Sequence, residues 1–299
     1  MMRGIAIWAL AACISTLVFE ETSFAAPELT ADQIVEKNVA ARGGAEAWRK
    51  VQTMVWIGHV ESANAIAPSL PFVLELKRPN KERFEVQAQN GISVRMYDGT
   101  LGWKLRPKQG GRPELQPYTA DELSFARDEQ VIDGPLIDYA AKGIAVALDG
   151  VDEIEGHKAY RMSVKLPSGT SQHVWIDAQS FLDIKSDRQP ANTHGHSGIV
   201  TEFYRNYRTI EGLQIPFTIE SSVDTTKSTD RMVIDKVMLN QSLDDRIFIK
   251  PGTPGRRSMV SRGNSRRAAQ SFLSSTSSLP TEFPGQGSRS MPGFMDTRE

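Results

Sequence analysis

The sequence contains a single cysteine, Cys13, which lies close to the amino terminus. The amino terminus has a positively charged start, then an apolar run as far as Phe19 that contains Cys13, and then the small-x-small pattern Ser23-Phe24-Ala25. Together these features predict that residues 1–25 are a secretory signal peptide. The mature chain would then begin at Ala26 without any cysteine. Such a chain has no disulfide, no thiol nucleophile and no cysteine-ligated metal.

The segment Leu10-Ala11-Ala12-Cys13 also matches the bacterial lipobox, in which the cysteine is lipidated and becomes the new amino terminus. Apolar residues continue past Cys13 to Phe19, where a lipoprotein usually turns polar, so removal of the whole leader is favoured. The apolar run is shorter than the roughly 20 residues that span a bilayer, which disfavours a permanent transmembrane helix. Export to the periplasm is therefore expected, with membrane anchoring through a lipidated Cys13 as the alternative.

The chain also lacks a charge imbalance, since its net charge is −1, and this gives no electrostatic basis for nucleic-acid binding.

Apolar periodicity is missing from residues 251–299, which contain Arg266-Arg267 and the serine-rich run Ser271–Ser278. Such a segment cannot bury enough apolar surface to offset its ordering entropy, so a disordered basic tail is predicted. No Pro/Gly/Ser-rich linker divides residues 26–250, which are predicted to form one folded domain.

Motifs of the common catalytic chemistries are missing as well. There is no Gly-x-Ser-x-Gly elbow and no phosphate-binding glycine pattern. His194 and His196 could supply two metal ligands, but the sequence places no third or fourth ligand beside them. We therefore expect no metal, no cofactor and no enzymatic activity, and we keep a hydrolase that uses these two loop histidines as an alternative.

The sequence is rich in alternation of apolar and polar residues, which runs from about Val51 to Leu239. A period of two residues is typical of half-buried antiparallel strands. Asp98-Gly99 stands between two such runs and predicts a hairpin turn. The pattern favours a mainly β (α+β) fold with a highly curved antiparallel sheet of about ten strands, able to hold a ligand cavity.

Helices are expected at two places that would cap this sheet. Thr30 with Gln33 and Thr119 with Glu122 form capping-box pairs, and Gly43-Gly44 is typical of a helix end. Helix is therefore predicted within Asp32–Lys50, with Trp48 facing the core, and within Ala120–Lys142, including Pro135–Lys142.

Large apolar residues on the alternating strands are the candidate ligand-binding side chains. We predict that some of them line a hydrophobic cavity. They are Phe72, Leu74, Phe84, Val86, Met96 and Trp103.

Several segments resemble the outer-membrane lipoprotein-sorting proteins of the LolA/LolB-like superfamily. The resemblance covers about residues 30 to 250 and depends on turn and strand punctuation. The segments that carry it are Asn38–Gly44, Tyr97-Asp98-Gly99 with Trp103, Val174-Trp175-Ile176-Asp177, and Tyr204-Arg205-Asn206-Tyr207-Arg208 with Gly212 and Pro216.

This resemblance implies an unclosed β-barrel with helices capping a hydrophobic cavity. It also implies a non-catalytic periplasmic carrier or binding protein for lipoprotein acyl chains or another lipid, with transient membrane contact or a lipid anchor. The alternative within the same fold is an envelope-stress sensor or regulatory interaction protein with a protein partner in the envelope. No individual contact residue is carried over from the family.

Overall fold

The computed structural model describes residues 29–62, 69–108, 110–129, 132–188, 198–224 and 229–251. The predicted signal peptide with Cys13, the loop pair His194 and His196, and nearly all of the predicted tail lie outside the described residues.

Strands make up most of the described chain, which confirms the mainly β prediction. The helices are α1 (Ala31–Ala41), α2 (Ala45–Lys50) and α3 (Ala120–Asp128), and a short 3-10 helix covers Asp245–Ile247. The strands are β1 (Thr53–Ser62), β2 (Leu70–Lys77), β3 (Lys81–Ala88), β4 (Gly91–Tyr97), β5 (Gly102–Arg106), β6 (Glu114–Pro117), β7 (Ala145–Ile154), β8 (His157–Lys165), β9 (Ser171–Asp177), β10 (Asp183–Arg188), β11 (Val200–Arg205), β12 (Arg208–Ile210), β13 (Leu213–Ile215), β14 (Thr218–Val223) and β15 (Thr229–Leu239).

Thirteen of these strands form one antiparallel sheet in the order β6-β5-β4-β3-β2-β1-β15-β14-β11-β10-β9-β8-β7. The sheet has more strands than the predicted ten or so. Its edge strands β6 and β7 do not pair in the described structure, so it forms the unclosed barrel that was predicted. The separate hairpin β12–β13 turns at Glu211-Gly212, and the Asp98-Gly99 turn joins β4 to β5 as predicted.

The predicted helix starts are confirmed. The side chains of Thr30 and Thr119 each accept a hydrogen bond from the backbone N–H of the residue three positions later, and both capping boxes are complete. The predicted helix Pro135–Lys142 is wrong, since residues 132–143 form successive turns. Asp138 adopts a left-handed φ of 56° and forms an ion pair with Arg49. The backbone N–H of Lys142 donates a helical hydrogen bond to the Asp138 carbonyl. A left-handed residue ends a right-handed helix, so only a single turn forms.

The helices cover one face of the sheet, which we call the concave face. Ile34 of α1 packs with Met162 of β8, and Trp48 of α2 packs with Met54 of β1, as predicted for this tryptophan. Glu122 of α3 contacts Lys104 of β5. The connection between edge strands β6 and β7 carries α3 and residues 132–144, so it crosses the open side of the barrel.

The opposite face, the convex face, is covered in a different way. Phe248, which is fully buried, packs with Val55 and Ile57, and the Nζ of Lys250 lies 4.5 Å from the centre of the Trp103 ring. The carboxy-terminal segment therefore shields the convex face from β1 to β5. Over the other half of the sheet this face carries ion pairs such as Arg161 with Asp152.

Candidate functional site

The concave face is the candidate ligand site, and its apolar part lies on β1, β2 and β3. Cross-strand partners share a face in an antiparallel sheet. Trp56 pairs with Leu74, and Leu74 pairs with Phe84. Phe84 is 5% exposed, whereas Trp56 and Leu74 stay half-buried beneath the capping helices. These side chains form an apolar wall that is still partly accessible to water.

The register separates the predicted cavity residues into two groups. Phe72, Leu74, Phe84 and Val86 share the concave face, with the rings of Phe72 and Phe84 5.6 Å apart. Met96 pairs with Arg83 on one side and with Trp103 on the other, and all three lie on the convex face. Met96 and Trp103 therefore lie on the other side of the sheet from the four candidate residues of β2 and β3.

The reason lies in β4, whose concave face is polar. Ser93, Arg95 and Tyr97 point to the concave side, and the apolar set with Val94 and Met96 points to the convex side. Alternation shows which residues of a strand share a face, but it does not show which face is inside. Here the carboxy-terminal segment covers the convex side, so apolar residues are buried there too.

A charged cluster lies between α3 and the concave side of β3 to β5. Glu122 of α3 accepts a 2.8 Å hydrogen bond from Lys104 and lies 3.3 Å from Arg95, whose guanidinium is 4.8 Å from the Tyr118 ring centre. Burial alone would raise the pKa of Glu122, but the hydrogen bond from Lys104 and the charge of Arg95 help to lower it overall. Ion pairs rather than a buried apolar stripe therefore hold α3, which has no fully buried residue.

Glu82 of β3 belongs to the same cluster and has a strongly perturbed pKa. Burial, followed by repulsion from Glu129, raises the pKa of Glu82 to about 7, and the charges of Arg95 and Arg188 only partly oppose this. Glu82 is half-buried on the concave face, in the same cross-strand row as Leu76 and Tyr97. The interior of the barrel therefore holds a carboxyl group that titrates near neutral pH.

A polar row crosses the concave face at the end of the sheet where β1 finishes. Ser62 pairs with Asp230, Asp230 with Ser221, Ser221 with Glu202, and Glu202 with Ser186. The hydroxyl of Tyr204 donates to Glu202 at 2.9 Å and lies 2.8 Å from the Ser186 hydroxyl. Burial, and then the charge of Glu202, raises the pKa of Tyr204 well above its ordinary value, so it stays a neutral phenol. Sequence reasoning missed this row because it treated polar alternating residues as solvent-facing.

Two of the described histidines lie beside acidic side chains. His173 is 2.8 Å from Asp187 and 3.5 Å from Asp149, and His59 is 3.4 Å from Asp235. Among the residues that the structure describes, no group of three or more His, Cys, Asp or Glu side chains converges to hold a metal. Within the same residues, no helix combines the length and apolar character needed to cross a membrane.

No protein-family model matches this sequence, and no curated protein matches it significantly. Solved structures do match. A domain from Vibrio parahaemolyticus, described as an outer membrane lipoprotein-sorting protein, superposes with a TM-score of 0.50 at 12% identity, over 73% of this chain and 95% of that domain. The chain has the fold of the outer membrane lipoprotein-sorting proteins.

Two further solved structures are similar to this lipoprotein-sorting fold. A LolA superfamily protein from Nitrosomonas europaea matches at 15% identity with a TM-score of 0.48, over 75% of this chain and 99% of that one. A DUF1329 family protein from Desulfovibrio piger matches at 11% identity with a TM-score of 0.49, over 73% of this chain and 97% of that one. The match to the Vibrio domain confirms the resemblance stated from the sequence as a resemblance of fold.

Proposed function

We propose that this chain is a non-catalytic carrier or binding protein that holds the acyl chains of a lipoprotein, or of another lipid, on its concave face. The observation that carries the proposal is the apolar wall of Trp56, Leu74 and Phe84, which lies under helices and yet remains partly accessible. A wall of this kind in a packed core would be closed, whereas a ligand trough needs accessible apolar surface.

The energetics support an acyl ligand. Burial of each methylene group is worth about 0.8 kcal/mol, so about fifteen methylenes give roughly 12 kcal/mol, of which about 8 kcal/mol remains after an association cost of about 4 kcal/mol. Binding in the micromolar range therefore requires no charged anchor.

The description of the Vibrio domain as a lipoprotein-sorting protein supports a lipoprotein or lipid as the ligand class. The proposal includes the periplasm as the location, reached by removal of residues 1–25, with Phe72, Leu74, Phe84 and Val86 as the contact residues. Mass spectrometry of the protein purified from its host would distinguish a mature start at Ala26 from an acylated Cys13.

A binding titration tests the function directly. We expect the purified mature chain to bind a fluorescent fatty acid saturably with one site, and an acylated lipopeptide to displace it. The same peptide without its acyl chains serves as the control and should not compete. The proposal fails if the probe does not bind, or if the unacylated peptide displaces it equally well.

A further inference from the structure

The polar row on the concave face is unusual for the inside of a barrel. Ser62, Asp230, Ser221, Glu202 and Ser186 are neighbours across β1, β15, β14, β11 and β10, and all face the covered side. Asp230 is 4% exposed and Ser221 is 8% exposed. Five polar side chains in succession would weaken a packed core, because buried polar groups are costly unless they are hydrogen-bonded.

Two atoms of this row lack the hydrogen bonds that burial normally demands. Asp230 Oδ1 and Ser221 Oγ are buried without a hydrogen-bond partner among the described residues. The carboxyl of Asp230 receives one hydrogen bond from Ser62, and burial raises its pKa. A buried polar group without a partner destabilises the folded protein. A bound ligand group would supply the missing partners.

The chemistry of the row restricts what that ligand group is. Its carboxylates, Asp230 and Glu202, accept hydrogen bonds, and the Ser221 hydroxyl both donates and accepts. A ligand carboxylate or phosphate placed beside Asp230 would meet its carboxylate and gain repulsion, and the guanidinium of Arg188 already lies 3.9 Å from Glu202. A ligand hydroxyl can donate to Asp230 and accept from Ser221, so it satisfies both unpartnered atoms.

The row also lies at a suitable distance from the apolar wall. Trp56 and Ser62 are on the same strand, six positions apart, which is roughly 20 Å in an extended strand. Val60, Met232 and Ile219 line the concave face between them. One acyl chain spans about half of a roughly 30 Å bilayer core, so it fits within this length.

We propose that the ligand is a neutral lipid with free hydroxyl groups, of the acylglycerol class, whose hydroxyls bind Asp230 and Ser221 while its acyl chain extends toward Trp56. This inference rests on the proposed function and specifies its ligand class. It also predicts discrimination against free fatty acids, whose carboxylates the row repels.

This ligand preference can be tested at pH 8 by measuring how well ligands of one chain length displace a fluorescent acyl probe. We expect monopalmitoylglycerol to displace the probe at about tenfold lower concentration than palmitate or methyl palmitate, a ratio that corresponds to one net hydrogen bond. Asp230→Asn should reduce the preference over palmitate to about threefold or less, because an amide donates to a carboxylate. Asp235→Asn, on the same strand beside His59, is the matched control and should leave the preference unchanged.

Ser221→Ala is a second variant in case Asp230→Asn fails to fold, and it should weaken monopalmitoylglycerol binding about threefold while leaving methyl palmitate binding unchanged. Tighter binding of palmitate, or of hexadecylamine, than of monopalmitoylglycerol would overturn the inference. Equal binding of all four ligands would also overturn it but leave the carrier function standing. Failure of every ligand to bind would instead remove the proposed function itself.

Discussion

Arg188 of β10 donates a 2.8 Å hydrogen bond to Glu129, the residue that follows α3, and its guanidinium lies 3.6 Å from the centre of the Phe125 ring. This contact joins the two halves of the sheet across the concave face, because α3 is also bound to β5 through Glu122 and Lys104. Since α3 has no fully buried residue, its position depends on such polar contacts.

Arg188→Met should therefore loosen α3 without unfolding the barrel. A hydrogen bond to a charged group is worth about 1.5–3 kcal/mol, so local opening of α3 should become at least about tenfold more frequent. Hydrogen exchange of the amides in residues 123–128 measures this. The matched variant Arg161→Met, which breaks a 2.9 Å pair with Asp152 on the convex face, should not change exchange there.

The opposite result would identify a different anchor for α3. If exchange in α3 is the same in Arg188→Met and in the wild type, the contacts of Glu122 with Lys104 and Arg95 hold the helix by themselves.

Glu82 predicts a pH dependence of stability. The pKa of Glu82 is about 7 in the folded protein, raised by burial first, whereas an unfolded glutamate titrates near 4.3. The folded state therefore holds the proton more tightly, so this contribution to stability is complete below about pH 4 and is lost as pH rises to about 7. Glu82→Gln should remove that loss and raise the stability at pH 8 by about 1–2 kcal/mol, after a reduction for the partial exposure of the side chain.

Urea unfolding at pH 5 and pH 8 measures this effect, and the difference between the wild type and the variant isolates Glu82 from other titrating groups. Glu153→Gln, at an exposed position of β7, is the control and should give the same pH dependence as the wild type. A wild-type difference that Glu82→Gln leaves unchanged would contradict the assignment to Glu82.

Two of the segments that carry the family resemblance, Asn38–Gly44 and the one with Tyr207 and Gly212, meet beside α1. Asn38 of α1 donates to the Phe181 carbonyl at 2.8 Å and to Asp183 at 2.9 Å, and Tyr207 donates to the Asp183 carbonyl at 2.9 Å. Gly43 has a φ of 110°, and a β-carbon there would lie 2.4 Å from the Gly212 carbonyl oxygen. These motif residues therefore hold α1 against the sheet.

Asn38→Ala should accordingly destabilise the protein by about 2–3 kcal/mol, because it removes both hydrogen bonds and leaves the half-buried Asp183 with fewer partners. Glu36→Ala, at an exposed position of the same helix, should change stability by less than about 0.5 kcal/mol. Thermal or urea unfolding of the two variants tests this. Equal effects would mean that the Asn38 amide does not anchor α1.

Local patterns allowed the strands, the capping boxes at Thr30 and Thr119, and the burial of Trp48 to be predicted. The face of β4 could not be predicted, because Met96 is buried on the convex side, where Lys250, more than a hundred residues away in sequence, covers its cross-strand partner Trp103. The polar row could not be predicted either. Asp230, Ser221 and Glu202 lie on different strands, and only the register places them side by side.

The two faces of the sheet give the decisive test of where a ligand binds. Leu74 is half-buried on the concave face, and Met96 is 1% exposed on the convex face. Leu74→Glu should abolish binding of a fluorescent fatty acid, since an unpaired carboxylate in an apolar site is costly, and it should lower stability by at most about 2 kcal/mol because water can reach it. Met96→Glu should lower stability by about 3 kcal/mol or more, since its site is closed. Below its unfolding temperature, the Met96 variant should still bind the probe. Loss of binding in both folded variants, or global unfolding of Leu74→Glu, would mean that the concave wall is only a core, and the carrier function would then lose its physical basis.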